Sequence, residues 1–153
     1  MTDESWWYPS KNEKKRIMWC GTHPIQSNGY SRVMYYISKY LGKYKDIELT
    51  IYGFQNFNNV GGQDILRGDI PKNVIIYDAF ANEEPKRSGF GEKEIGEYIK
   101  KHPQDIIIIF NDAIITTSLT ATIMNECGSE KKNFKLISYM DQVYRYQIGR
   151  AHV

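Results

Sequence analysis

Apolar and polar positions alternate along this chain in two periods, and the period switches at regular intervals. Arg16-Ile17-Met18-Trp19-Cys20 is a short apolar run ending at Gly21, which predicts a buried strand over 17–20. From Tyr30 the spacing changes. Tyr30, Val33, Met34, Ile37 and Leu41 recur at i, i+3, i+4 and i+7, the stripe of a helix with one buried face, predicted over 30–44. Glu48 to Phe54 alternates again and is β-branched, a second strand. Residues 55–73 are a long polar connection rich in Asn and Gly, with room for a short helix near 64–66. A third strand follows over 73–78 and a charged loop over 79–91. A helix over 92–102 turns Ile95, Tyr98 and Ile99 inward, with Pro103 beyond its end. Asp105-Ile106-Ile107-Ile108-Ile109-Phe110 is apolar without a break, as in a central parallel strand buried on both faces. A helix over 113–126, capped by Asn111 or Asp112 and ended by Gly128, leads to a fifth strand over 134–139.

The order β-α-β-loop-β-α-β-α-β predicts an α/β fold. The expected form is a Rossmann-like, three-layer parallel sheet of about five strands with flanking helices and right-handed crossovers. Such sheets bind ligands beyond the carboxyl ends of their strands. That singles out loops 21–29, 53–60, 78–91, 111–113 and 140–146. The expected organisation is a polar lead-in over 1–15, interrupted by Trp6-Trp7-Tyr8-Pro9, then one domain over 16–147. Ile148-Gly149-Arg150-Ala151-His152-Val153 matches the translation of a common sequencing adapter and is set aside from fold reasoning.

Composition narrows the classes. The chain has 153 residues, 41% apolar and 25% charged, with formal charge +2, which is ordinary globular composition. No basic stripe signals nucleic acid. No apolar run approaches a membrane span, and the polar, acidic start is unlike a signal peptide. Cys20 and Cys127 are isolated, without metal-ligand spacing, which points to a reducing, cytoplasmic setting. No metal-ligand cluster and no Ser-His-Asp arrangement with a nucleophile elbow is present.

The chemistry is concentrated in the first turn. Strand, glycine-bearing loop and helix place unpaired backbone N–H groups and a positive helix terminus at one point, a natural phosphate cradle. Gly29 either lets a phosphate or sugar approach the backbone or simply permits the turn. GxGxxG is absent, and Gly53-Phe54 stands where a dinucleotide-binding unit carries its ribose-binding acid, so a nicotinamide or flavin enzyme is disfavoured. A Walker lysine is also missing. His23 is either a donor to a phosphate or sugar hydroxyl or ordinary polar surface. Asp78, Asp112 and Asp141 follow the third, fourth and fifth strands toward one edge. There each can accept a sugar hydroxyl or act as a base; Asp112 serves equally well as a helix cap. Glu83 and Glu84, beside Lys86 and Arg87, read as a solvated loop.

From Arg16 to Gln147 the chain resembles the N-terminal half of a GT-B glycosyltransferase, and more narrowly the retaining, nucleotide-sugar-dependent group 1 enzymes. The resemblance rests on Ser27-Asn28-Gly29-Tyr30-Ser31-Arg32-Val33 after the first strand. It rests equally on Asp105-Ile106-Ile107-Ile108-Ile109-Phe110-Asn111-Asp112 and Leu136-Ile137-Ser138-Tyr139-Met140-Asp141. It implies a mainly acceptor-binding domain whose Asn28, Gly29 and Tyr30 meet the donor diphosphate. His23, Asp78, Asn111 and Asp141 then lie toward a glycan or other hydroxyl acceptor, with Asp112 in the catalytic position. Many members carry a histidine after the fourth strand; Asn111-Asp112 stands there here. The nucleotide sugar is a co-substrate, and the fold requires no metal or other cofactor. A second domain of the same chain holds most of the donor, so this half alone is expected to be inactive. Two other readings share the alternation. One is a non-enzymatic flavodoxin-like binding or receiver module, for which Cys20-Gly21-Thr22 lacks the acidic pair. The other is a different GT-B sugar-nucleotide enzyme such as an epimerase.

Overall fold

The computed structural model describes residues 14–57, 63–128 and 134–140. The elements run β1 (Lys15–Thr22), α1 (Gly29–Leu41), β2 (Ile47–Phe54), a 3-10 turn (Ile65–Arg67), β3 (Ile75–Asp78), α2 (Ile95–Lys101), β4 (Ile106–Asn111), α3 (Ala113–Cys127) and β5 (Lys135–Met140). The five strands form one sheet in the order β3-β2-β1-β4-β5, and every pair is parallel. Register is continuous across the centre, with Trp19 beside Ile51 on one flank and Ile108 on the other. This is the Rossmann-like architecture that the alternation predicts. A flavodoxin-like sheet runs 2-1-3-4-5 instead.

Side-chain alternation divides the core between the faces. On one face Ile17, Leu49, Ile51, Ile106 and Phe110 pack with Met34, Ile37 and Leu41 of α1. On the other, Met18, Cys20, Tyr52, Ile107 and Ile109 meet Ile95 and Ile99 of α2 and Leu119 and Ile123 of α3. The centre of this second face is fully covered: those helix residues are at most 1% exposed. α1 packs mainly over β1 and β2 and reaches β4 through Tyr30 and Phe110. Val33, on its flank, is therefore 41% exposed although the helical stripe predicts it buried, and Ile137 of β5 is 40% exposed.

Local chemistry sets the element ends. α1 starts at Gly29 through a reciprocal capping box. The Asn28 side chain accepts from the Ser31 amide at 2.8 Å, and Ser31 Oγ accepts from the Asn28 amide at 3.0 Å. The helix stops at Leu41, short of the predicted residue 44, because Gly42 follows. A Cβ there would lie 2.4 Å from Val74 Cγ2, so glycine is what lets the β2–β3 connection close against the helix end. α2 is shorter than the 92–102 expected. Before it, Arg87 draws in the side chains of Glu92 and Glu94, so residues 92–94 serve the loop rather than the helix.

Candidate functional site at the carboxyl rim

All five strands end on one rim, and strand order reverses between β1 and β4, the switch point at which sheets of this kind form their ligand crevice. α1 and α3 begin at these two strand ends, and their amino termini flank the crevice. Tyr30 ties the sides together by packing edge-on to Phe110 at 5.4 Å, and Phe110 in turn meets Tyr139 at 5.0 Å.

The predicted donor residues fall at this crevice. Gly29 is exposed, and a Cβ built on it would touch nothing within 4 Å. Among the described residues nothing explains a glycine there, and its backbone is exposed. Asn28 Oδ1 is used in capping α1, so the side chain acts on the helix. Tyr30 is half-buried as a packing residue. Asn111 and Asp112 lie across the crevice. Asn111 is 6% exposed, and its Oδ1 accepts the Asp112 amide at 2.9 Å. Asp112 caps α3 by accepting the Ile115 amide at 2.9 Å, the helix-cap role foreseen for it, which still leaves its second carboxylate oxygen for other partners.

His23 and Asp78 sit together in a second cluster, over β2 and β3. The His23 ring lies against Gly53, where a Cβ would come within 2.7 Å of ring carbon Cδ2. Its amide donates to the Phe54 carbonyl at 2.9 Å and its Nδ1 accepts the Ile25 amide at 3.2 Å, so Nε2 carries the proton of the neutral ring. Burial pulls the imidazole below its ordinary pKa, and the Asp78 carboxylate opposes that pull. Asp78 accepts from Asn56 Nδ2 at 2.7 Å and from the Ala81 amide at 2.9 Å. The site residues therefore form two groups: Asn28, Gly29, Tyr30, Asn111 and Asp112 at the crevice, and His23 with Asp78 beside it. Asp141 lies outside the described residues, as do the aromatic lead-in at 6–9 and the adapter-like tail.

Sequence reasoning passed over the groups that organise the rim. Gln26, 2% exposed, donates to Asn56 Oδ1 at 2.7 Å and to the Phe57 carbonyl at 2.9 Å; Gln63 donates to the same Asn56 oxygen at 2.8 Å. Arg67, 9% exposed, donates through Nη1 to the carbonyls of Pro24 and Gln26 and to Ser31 Oγ, and pairs with Asp64 at 3.3 Å. Glu83, read as solvated, is in fact buried. Its carboxylate accepts the amides of Arg87, Gly89 and Gly91 at about 3.0 Å, because the loop folds back around it. Gln26 and Arg67 reach partners 30 or more residues away, and the Glu83 partners sit in its own loop, where no periodicity marks them.

Among the described residues no group of three or more His, Cys, Asp or Glu is placed to hold a metal ion. Cys20 and Cys127 are buried free thiols, and burial pushes the Cys20 thiol far above its ordinary range, which removes it as a nucleophile. No described helix is long and apolar enough to cross a membrane. No protein-family model and no curated protein sequence matches the chain.

Proposed function

We propose that this domain is the N-terminal, mainly acceptor-binding half of a nucleotide-sugar-dependent glycosyltransferase, completed by a second, donor-binding half. The observation that supports this most is the crevice between β1 and β4, where two helix amino termini flank a glycine that the protein's own packing does not require. When a glycosyl bond to a nucleoside diphosphate breaks, negative charge grows on the leaving phosphate. Backbone amides at Gly29 and the α1 terminus are suited to stabilise it without reorganisation. Asp112, across the crevice, is placed to accept a proton or hydrogen bond from a sugar hydroxyl. His23 and Asp78 extend the polar rim on the acceptor side. A cleft between two halves would exclude water and orient the acceptor, which one half cannot do.

Amide NMR titration of the domain with UDP-glucose and GDP-mannose tests this reading. The expected result is saturable shifts confined to Gly29, Tyr30, Asn111 and Asp112, with weak affinity and no sugar transfer by the domain alone. Absence of shifts with any nucleotide sugar, or shifts elsewhere only, refutes the donor assignment. Sugar transfer by the isolated domain refutes the need for a second half.

A further inference from the structure

A cavity of about 300 Å³ lies on the α1 face of the sheet, beneath the first loop and beside β3. Among the described residues of the β2–β3 connection the regular structure is one 3-10 turn, and no helix of that connection covers the face there. Its wall is apolar over Ile25, Ile70, Val74 and Ile76. The polar lining residues are His23, Arg67 and Lys72, and no carboxylate lines it. Arg67 is fixed: Nη1 and Nε hold the Pro24, Gln26, Ser31 and Asp64 oxygens, which leaves Nη2 as the unused arm of the guanidinium. His23 presents a donor at Nε2, since Nδ1 is taken by the Ile25 amide. A space of this size is at the lower end of small-molecule sites, which pair an apolar lining with a few fixed polar groups.

We propose that this cavity binds a small carboxylate with an apolar body. The aliphatic wall takes the body, and Arg67, Lys72 and His23 supply donors, two of them cationic, for the head. A neutral alcohol of equal length forgoes the charge-assisted hydrogen bonds. The proposal shares His23 with the acceptor side of the transferase reading but does not rest on that reading, because its test reads binding of a carboxylate with no nucleotide sugar present.

The experiment is methyl NMR of the isoleucine-labelled chain titrated with sodium octanoate, and with octanol as the neutral control. Saturable shifts of Ile25, Ile70 and Ile76 are expected, with octanoate binding about tenfold more tightly than octanol, the difference one charge-assisted hydrogen bond makes. Lys72→Gln should weaken octanoate about threefold and leave octanol unchanged, a surface-charge effect of ordinary size. Ile76→Trp should fill the space and abolish the shifts at Ile25 and Ile70. No saturable shift with octanoate, equal affinity for octanol, or binding that survives in a well-dispersed I76W spectrum each overturns the proposal. If I76W fails to fold, the octanoate–octanol contrast in the unaltered chain decides.

Discussion

The two halves of the carboxyl rim use similar residues to opposite ends. Over β2 and β3, nearly every polar group is satisfied from within: Gln26, Gln63 and Asp78 meet on Asn56, and Arg67 gathers the first loop. Over β1 and β4 the network is sparse. Asn111 and Asp112 each satisfy one local amide, and Gly29 stands open. A polar cluster whose bonds are mutually closed stabilises a shape; one with unused amides and oxygens retains capacity for a ligand. The half over β2 and β3, the left, is thus mainly scaffold, and the half over β1 and β4, the right, is where a nucleotide sugar gains most.

The strongest test of the scaffold half removes its buried charges. Arg67→Ala leaves the Gln26 and Pro24 carbonyls and Ser31 Oγ without their donor and Asp64 without its pair, and should cost about 3 kcal/mol. Glu83→Ala should be comparable, about 3 kcal/mol, because it abandons three buried amides in the loop before α2. Urea denaturation measures both. A loss below about 1 kcal/mol, the range of exposed pairs, would show these clusters to be solvent-exposed in solution and erase the contrast between the halves. A smaller loss is expected from Gly53→Ala, about 1–3 kcal/mol, since the new Cβ would press on His23 at 2.7 Å and displace the ring.

The contrast also marks how far the sequence can be read. Element order, parallel direction and the positions of α1 and α3 follow from residues whose neighbours in sequence are their neighbours in structure: the apolar stripe of α1, the unbroken Ile106–Ile109 run and the Asp112 cap. Gly29 and Asp112 were legible for that reason. Arg67 and Gln26 were not, because their partners lie across the fold, and Glu83 was not, because the loop that wraps it carries no periodicity. Val33 misleads in the other direction. Its helical spacing signals a buried face, yet what covers an α1 flank depends on which strands the helix spans, and α1 lies mainly over β1 and β2, which leaves Val33 exposed.

A gentler probe of the scaffold half is pH. The folded-state pKa of His23 lies below its ordinary 6.5, so the unfolded chain takes up the proton first. Its contribution is fully present above about 6.5 and is lost as pH falls from there toward the lower folded value. Stability of the parent chain should therefore decline over that window by more than that of His23→Gln. Parallel pH profiles for the two would place His23 in contact with solvent rather than in the closed cluster.

The smallest change in stability is expected from Gly29→Ala, and it sharpens the comparison most. Gly29 is the first residue of α1, its φ is not positive, and an added methyl meets no atom of the protein. Alanine has the better helix propensity and a less mobile unfolded state, so the substitution should stabilise by up to about 0.5–1 kcal/mol. The same methyl would stand over the α1 amides at the crevice and hold a diphosphate away from them. Nucleotide-sugar binding should then fall about tenfold, the worth of one charge-assisted hydrogen bond, while thermal stability rises. A purely structural glycine cannot produce that opposition, because a residue needed for the turn would lose stability on gaining a side chain. If G29A is more stable and binds UDP-glucose unchanged, the open right half of the rim is empty space rather than a site. If it is less stable, Gly29 belongs with Gly53 and Gly42 in the scaffold, and the division of the rim falls elsewhere than at β1.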